Sequence, residues 1–132
     1  MRAHAGRAGF TLIELLIVVV IIGILASIAI PKFANTKEKS YLATMKSDLH
    51  NLVVSQEGYL ADNGTYYGGA VPNLAAMPYR PTTGTTITMV TATASGWQAT
   101  ATYTGTTKTC ALFYGNVAPL APANVNGEPQ CS

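Results

Sequence analysis

The feature that most constrains the fold of this sequence is a long apolar run close to its N-terminus. Between residues 10 and 30 the only charged side chain is that of Glu14. A helix over these residues would be about 32 Å long at about 1.5 Å per residue, and the hydrocarbon core of a bilayer is about 30 Å thick. We therefore predict a membrane-spanning helix over residues 10–30 and not an element of a soluble core.

The charges outside this run predict the orientation of the helix. The chain carries 8 Lys and Arg against 6 Asp and Glu, a formal net charge of +2. Arg2 and Arg7 precede the apolar run, and without them the acids and bases balance. Positive residues that flank a membrane helix stay on the cytoplasmic side, so the rest of the chain is expected to face outward. A body with balanced charges gives no electrostatic argument for nucleic-acid binding.

Two cysteines, Cys110 and Cys131, lie in the part of the chain that is expected on the oxidising side. A disulfide is chemically allowed there, and two cysteines have only one intrachain pairing. The alternatives are two free thiols or part of a metal site. A metal site would need further His or Cys residues nearby, which this region lacks. We predict the disulfide, and neither a metal nor a cofactor.

The start of the chain differs from an ordinary secretory signal. Such a signal has an apolar stretch of about 7–15 residues that ends in small residues at the cleavage site. Here the apolar run is longer and is followed by Pro31, Lys32 and Phe33, whereas a glycine, Gly9, precedes it. A glycine lets the backbone extend into a protease cleft without a side-chain conflict.

The motif "GFTLIE", from Gly9 to Glu14, with the apolar helix and Pro31 that follow, resembles the class III signal of type IV pilins. The resemblance implies that prepilin peptidase, a membrane aspartic peptidase, cuts between Gly9 and Phe10 and methylates the new amine of Phe10. It also implies the pilin fold, which is of the α+β class. In that fold one long N-terminal helix packs under a small antiparallel β-sheet of three or four strands, and a disulfide closes the C-terminal loop.

The carboxylate of Glu14 requires an explanation because it lies in the apolar run. A charge at the centre of a bilayer costs about 2.5–3.5 kcal/mol, although Glu14 lies near enough to the cleavage site to reach the head groups. If many copies bundle their apolar helices, each carboxylate needs a cation, and cleavage creates one at the Phe10 amine. We predict that Glu14 pairs with the Phe10 ammonium of a neighbouring copy. The alternative is an interfacial residue with no special role.

Two residues weaken the long helix. Pro31 cannot donate to the carbonyl of Ser27 and clashes with it, and Gly23 lowers helix propensity. We predict a kink near Pro31 in the isolated subunit. The resemblance implies that the stretch from Gly23 to Pro31 loses helical structure in a filament.

After Pro31, apolar residues recur at three- and four-residue spacings, which predicts one buried stripe on an amphipathic helix. The members of this stripe are Leu42, Met45, Leu49, Leu52, Val53, Gln56 and Leu60. The polar residues between them, including Asp48, are expected to face elsewhere. The Asp62-Asn63-Gly64 segment predicts the end of the helix, because Gly64 can adopt a positive φ.

Three strand-like runs, residues 85–94, 96–103 and 107–114, predict an antiparallel meander that covers the stripe. In the second run Trp97, Ala99 and Ala101 alternate with polar residues, which predicts one packed face and one wetted face. The tail after Gly115 has little periodicity, so the disulfide would be needed to hold it. We thus predict a leader at 1–9, a transmembrane helix at 10–30, an amphipathic helix at 31–62 and a sheet region at 63–132, with 31–132 as one globular domain.

The sequence offers no combination of residues for catalysis, so we predict that the chain is not an enzyme. We interpret it as the major pilin of a type IV pilus: a homopolymer assembled by the pilus machinery from the inner membrane into an extracellular filament. The alternatives are a minor pilin that binds DNA or a surface, and a pseudopilin of type II secretion. The family's major pseudopilin commonly has a C-terminal calcium site and no such disulfide, and Glu128 is the only acid beyond Asp62 here.

Overall fold

One long helix precedes a four-stranded antiparallel sheet in the computed structural model, which describes residue 6 and residues 9–132. Arg2 and Arg7 lie outside the described residues. The elements are helix α1 (Leu12–Asn63) and strands β1 (Thr85–Ala92), β2 (Gly96–Tyr103), β3 (Thr109–Gly115) and β4 (Gln130–Cys131), in the sheet order β1-β2-β3-β4. This arrangement confirms the predicted α+β class, with one long N-terminal helix and a small antiparallel sheet. The chain forms two compact units, one that ends at Lys37 and one that spans Glu38–Ser132.

Helix α1 begins and ends within two residues of the predicted limits. It stops where expected: Gly64 has a φ of 72°, and its N–H donates to the Leu60 carbonyl oxygen at 2.8 Å. This left-handed glycine after the last helical residue satisfies a carbonyl that the helix would otherwise leave free. The helix continues through Gly23 and Pro31 without a break, and the kink at Pro31 stays a prediction.

The core of the second unit lies between the C-terminal half of α1 and one face of the sheet. Met45, Leu49 and Leu52 are fully buried against the sheet residues Trp97 and Leu112. The predicted stripe is therefore confirmed, and the meander covers it.

The prediction for Asp48 is wrong, because this residue is only 3% exposed. Its carboxylate accepts hydrogen bonds from the backbone N–H of Thr82 at 3.2 Å and from the Thr82 hydroxyl at 2.9 Å. The Tyr79 hydroxyl donates to the Asp48 carbonyl oxygen at 2.7 Å. The proline-rich connection between α1 and β1 thus covers Asp48 and supplies the donors that a buried carboxylate needs.

A second polar side chain of the helix holds the start of the same connection. Gln56 is fully buried, and its amide donates to the Tyr67 carbonyl oxygen and accepts from the Tyr67 N–H, both at 2.8 Å. The side-chain amide therefore pairs with the backbone as a neighbouring strand would. Gln56 lies on the buried face of the helix, as the predicted stripe requires. Its polar amide is explained by its two hydrogen bonds to the Tyr67 backbone.

The outer face of the sheet is covered in part, where the sequence predicted a wetted face. Gln98 is only 8% exposed, and its amide donates to the Ala118 carbonyl oxygen at 2.6 Å. The C-terminal tail packs on this face and forms a small second core with Phe113 and Ala123. The tail has no strand-like pattern, so periodicity in the sequence does not predict that the tail covers this face of the sheet.

The strand limits agree closely with the sequence. The second run matches β2 at both ends, whereas β1 ends at Ala92 and β3 begins at Thr109. After β1 the Thr93 hydroxyl accepts hydrogen bonds from the N–H groups of Ser95 and Gly96, which closes the turn into β2. The predicted disulfide is present: Cys110 of β3 is bonded to Cys131 of β4.

Candidate processing and assembly site

The residues predicted to flank the cleavage point are accessible. Gly9 and Phe10 precede the helix and are exposed, Phe10 by 88%. A Cβ atom placed on Gly9 would meet no other part of the chain within 4 Å. Packing within the single chain therefore does not require glycine at this position, and any such requirement comes from a partner that handles this segment.

Glu14 and Thr11 form a capping box at the start of α1. The Glu14 Oε2 atom accepts hydrogen bonds from the Thr11 N–H and the Thr11 hydroxyl, both at 2.8 Å, and the Glu14 N–H donates to Thr11 Oγ1 at 3.3 Å. Thr11 thus occupies the N-cap position and Glu14 the third helical position. The role of Thr11 was not predicted from the sequence, although a threonine followed three residues later by a glutamate before an apolar run is the known signal for this motif.

The capping box leaves Glu14 able to accept a further charged partner. Only Oε2 takes part in these bonds, and no other described residue donates to Oε1. An ionised carboxylate can accept about four hydrogen bonds through its two oxygens. One carboxylate can therefore start its own helix and also receive a cation from outside the chain.

The helix beyond Glu14 presents apolar side chains on every side. Leu12 is 83% exposed, and the large apolar side chains that follow it as far as Ile30 are each about half exposed or more, the lowest being Val18 at 49%. By length and composition α1 is able to cross a membrane. Exposure on this scale is unfavourable in water, so this segment requires lipid or other apolar helices around it.

Gly23 and Pro31 lie within this exposed part of α1. A Cβ atom on Gly23 would meet nothing within 4 Å outside its own helix, so no close neighbour explains the glycine. The Ser27 hydroxyl, one turn before Pro31, donates to the Ile24 carbonyl oxygen at 2.7 Å. Both residues reduce the stability of the helix without a compensating contact in the single chain.

Two tyrosines of the second unit have raised pKa values, and their roles are structural. Burial, followed by its hydrogen bond to Glu57, raises the pKa of Tyr66 to about 12. Burial, with the Asp48 charge nearby, also raises the pKa of Tyr79. Among residue 6 and residues 9–132 there is no group of three or more His, Cys, Asp or Glu placed to hold a metal ion.

The N-terminal segment matches a known family model. Residues 4–30 match the prokaryotic N-terminal methylation motif. The match includes Gly9, Phe10 and Glu14. An apolar helix preceded by this motif fits an inner-membrane anchor. The N-terminal segment is therefore similar to that of type IV pilin-like proteins.

Two kinds of relative are similar to this chain. It is 47% identical over 65 residues to the type IV major pilin protein PilA of Myxococcus xanthus, an alignment that covers 49% of this chain and 30% of PilA. It is 41% identical over 66 residues to the type II secretion system core protein G of Escherichia coli, covering 50% and 46%. For the core protein G of Pseudomonas aeruginosa the identity is 33% over 76 residues, covering 58% and 53%.

The chain thus spans between about a third and half of the length of the curated relatives that it matches. The relatives are structural pilins and pseudopilins and not enzymes. The chain is thus similar to type IV pilin and type II secretion core proteins over about half of its length.

Proposed function

We propose that this chain is the major subunit of a type IV pilus filament. In this proposal prepilin peptidase removes residues 1–9, Phe10 becomes the N-methylated first residue, and the apolar helices of many copies bundle in the filament. The observation that carries the proposal is the exposed apolar surface of residues 12–30, which has a single capped carboxylate near its start. A bundle of identical helices would remove this surface from water.

The proposed role of Glu14 follows from the cost of burying an unpaired charge. In a bundle its carboxylate leaves water, and the ammonium of Phe10 on a neighbouring copy is the cation that processing supplies. Removal of one partner of a buried pair costs about 3–5 kcal/mol, because the other charge then stays buried alone. A subunit added at the wrong height would bear the same cost, so the pair also sets the axial stagger.

Three variants separate the charge of Glu14 from its capping role. Glu14→Gln keeps a capping side chain but removes the charge, and Thr11→Ala removes the hydroxyl cap but keeps the charge. Glu14→Leu removes the charge and the carboxylate half of the capping box. We expect filament yield to collapse in Glu14→Gln and Glu14→Leu. Loss of the cap costs only about 0.5–2 kcal/mol of helix stability, so Thr11→Ala should still assemble.

The measurement is the amount of this chain in sheared extracellular filaments relative to the amount in the inner membrane. Mass spectrometry of the sheared chain should find a start at Phe10 with one added methyl group. Normal filaments from Glu14→Gln, together with failure of Thr11→Ala, would show that capping is the essential role and that the ion pair is not.

A pseudopilin of type II secretion is the second candidate, because several relatives are core proteins of that system. The C-terminal tail favours a type IV pilin over a pseudopilin. The Cys110–Cys131 bond holds it, and Glu128 is the only carboxylate side chain beyond Asp62, too few for an all-protein calcium cage. Deletion of the gene discriminates the two: loss of surface filaments with normal protein secretion fits the pilin, and the reverse result fits the pseudopilin.

A further inference from the structure

The two edges of the sheet differ in how their backbone groups are satisfied. On the β3 edge the C-terminal tail supplies partners: Ser132 N–H donates to the Thr109 carbonyl oxygen at 3.1 Å, and Gly127 N–H donates to the Phe113 carbonyl oxygen at 2.8 Å. Between these two bonds, β4 pairs with β3. The chain therefore closes this edge with its own tail.

The opposite edge is formed by β1, and its outward-facing groups can be assigned. Hydrogen-bonded and non-hydrogen-bonded residues alternate along an antiparallel strand. Thr104 N–H donates to the Gly84 carbonyl oxygen at 3.0 Å, so Gly84 faces β2, and by alternation so does Thr88. The backbone N–H and C=O groups of Ile87 and Met89 consequently point away from the sheet.

Among the described residues, backbone hydrogen bonds from outside the sheet reach this edge at its two ends. Thr85 N–H donates to the Thr82 carbonyl oxygen at 2.9 Å, and Tyr66 N–H donates to the Thr93 carbonyl oxygen at 3.0 Å. Between these bonds, within the part of the chain that the structure describes, no group donates to or accepts from the outward-facing backbone of Ile87 and Met89. The middle of β1 is an open edge.

A groove of about 330 Å³ lies beside this open edge. Its walls are residues 87–89 of β1 and residues 68–71 of the connection, which are Gly-Gly-Ala-Val. None of these residues is charged, and those of the connection are small. A strand added to this edge would lie about 4.8 Å from β1, on the side where the groove opens.

Residues 85–89 of strand β1 lack the features by which proteins usually protect an edge. Exposed edges commonly carry Lys, Pro or a bulge. The sequence of β1, TTITMVTA, has no charged residue and no proline. Its one irregularity, between Met89 and Thr91, limits the stretch that can pair to residues 85–89.

We propose that the β1 edge accepts an extended, uncharged peptide segment of another protein, which adds to the sheet as a fifth strand. The backbone groups of Ile87 and Met89 would form up to four hydrogen bonds with it, and its small or apolar side chains would enter the groove. A charged side chain would lose its hydration beside uncharged walls, which excludes strongly charged segments. A second folded copy would bring its own sheet into a space that is walled by residues 68–71. This inference does not depend on filament assembly.

The test uses the full chain in detergent micelles and a synthetic peptide as the probe. The peptide has the sequence of β2 residues 98–103, QATATY, with blocked ends, because this sequence already pairs with the other edge of β1. Amide hydrogen exchange is followed by NMR. At a peptide concentration about ten times the dissociation constant, exchange of the Ile87 and Met89 amides should slow about tenfold. A peptide with proline at both alanine positions is the control, since proline removes the required N–H groups.

Two matched variants locate the effect. Thr88 is exposed on the edge strand, and Thr102 is exposed on the same face of the neighbouring strand β2. Thr88→Lys places a charge beside the groove and should abolish the slowing, whereas Thr102→Lys should retain it. Unfolding midpoints in urea verify that both variants fold.

Three results would overturn the proposal. The first is no slowing at Ile87 and Met89, and the second is equal slowing with the proline peptide. The third is slowing that increases with protein concentration in the absence of peptide, which would assign the edge to a second copy of this chain.

Discussion

At the scale of single residues, polar side chains of the helix organise the connection between the helix and the sheet. Asp48 and Gln56 both lie on the buried face of α1, and each binds backbone groups of the segment that has no regular structure. Glu14 serves in the same way at the start of α1, where it binds the Thr11 N–H. In each case one side chain satisfies backbone groups that no helix or strand partner reaches.

Burial of the Tyr66 hydroxyl, together with its 2.8 Å hydrogen bond to Glu57 Oε1, makes the stability of the fold depend on pH in the alkaline range. The pKa of Tyr66 rises from 10.0 to about 12, so the folded state binds the phenol proton more tightly than the unfolded state. The stability that this proton supports is fully present below about pH 10 and is lost as the pH rises to about 12.

We expect the urea midpoint of the wild-type chain to fall between about pH 9 and about pH 11. In Tyr66→Phe, which has no phenol proton at this position, the fall should be smaller. Tyr79 is a second buried tyrosine with a raised pKa, and it should account for part of the fall that remains. An identical fall in both proteins would contradict the assignment to Tyr66.

At the scale of elements, α1 is one helix with two environments. Its C-terminal half packs on the sheet through Met45, Leu49 and Leu52, whereas the large apolar side chains before residue 31 are exposed. Among the described residues, the packing that supports the helix lies in the second unit. The first unit depends on its surroundings and on local helix propensity.

Gly23→Ala tests whether the first unit must lose helical structure in a filament. Alanine fits without contact in the single chain and favours the helix by about 0.8–1.0 kcal/mol. If this stretch melts on assembly, we expect Gly23→Ala to lower filament yield while the membrane-inserted subunit stays abundant.

Gly58→Ala is the matched control, because Gly58 also lies in α1 and a Cβ there also meets nothing within 4 Å. Gly58→Ala gains the same helix propensity as Gly23→Ala, but in the second unit. Equal filament yields from the two variants and the wild type would mean that the Gly23 stretch keeps its helix on assembly.

At the scale of the whole molecule, the sheet and the C-terminal tail stabilise each other. The tail covers Gln98 and Phe113 on the outer face of the sheet and closes the β3 edge. The Cys110–Cys131 bond, with a sequence separation of 21, anchors its end. A loop of this length contributes about 3 kcal/mol in chain-entropy terms.

We expect the double variant Cys110→Ser, Cys131→Ser to unfold at a lower urea concentration, by a free energy of about 3 kcal/mol. Amide exchange at Gly127 and Ser132, whose N–H groups bind β3, should accelerate. Reduction of the wild-type chain with dithiothreitol should reproduce both effects, and an unchanged midpoint would show that packing alone holds the tail.

Local patterns in the sequence determined much of this molecule. The apolar run predicted the membrane-type helix, the three- and four-residue spacing predicted the stripe of Met45, Leu49 and Leu52, and Gly64 predicted the helix end. Period-two alternation predicted β2 at both of its limits. The capping box of Thr11 and Glu14 was equally local and could have been predicted, since all its information lies in four consecutive residues.

Only the tertiary structure decided which surfaces are covered. Asp48 is buried because a connection without periodicity, about thirty positions later in the chain, lies over it. Gln98 is buried because the tail crosses its face of the sheet. The β1 edge is open because that tail pairs with β3, at the other side of the sheet. Such contacts depend on where distant irregular segments pack, and the spacing of residues along the chain carries no signal of that placement.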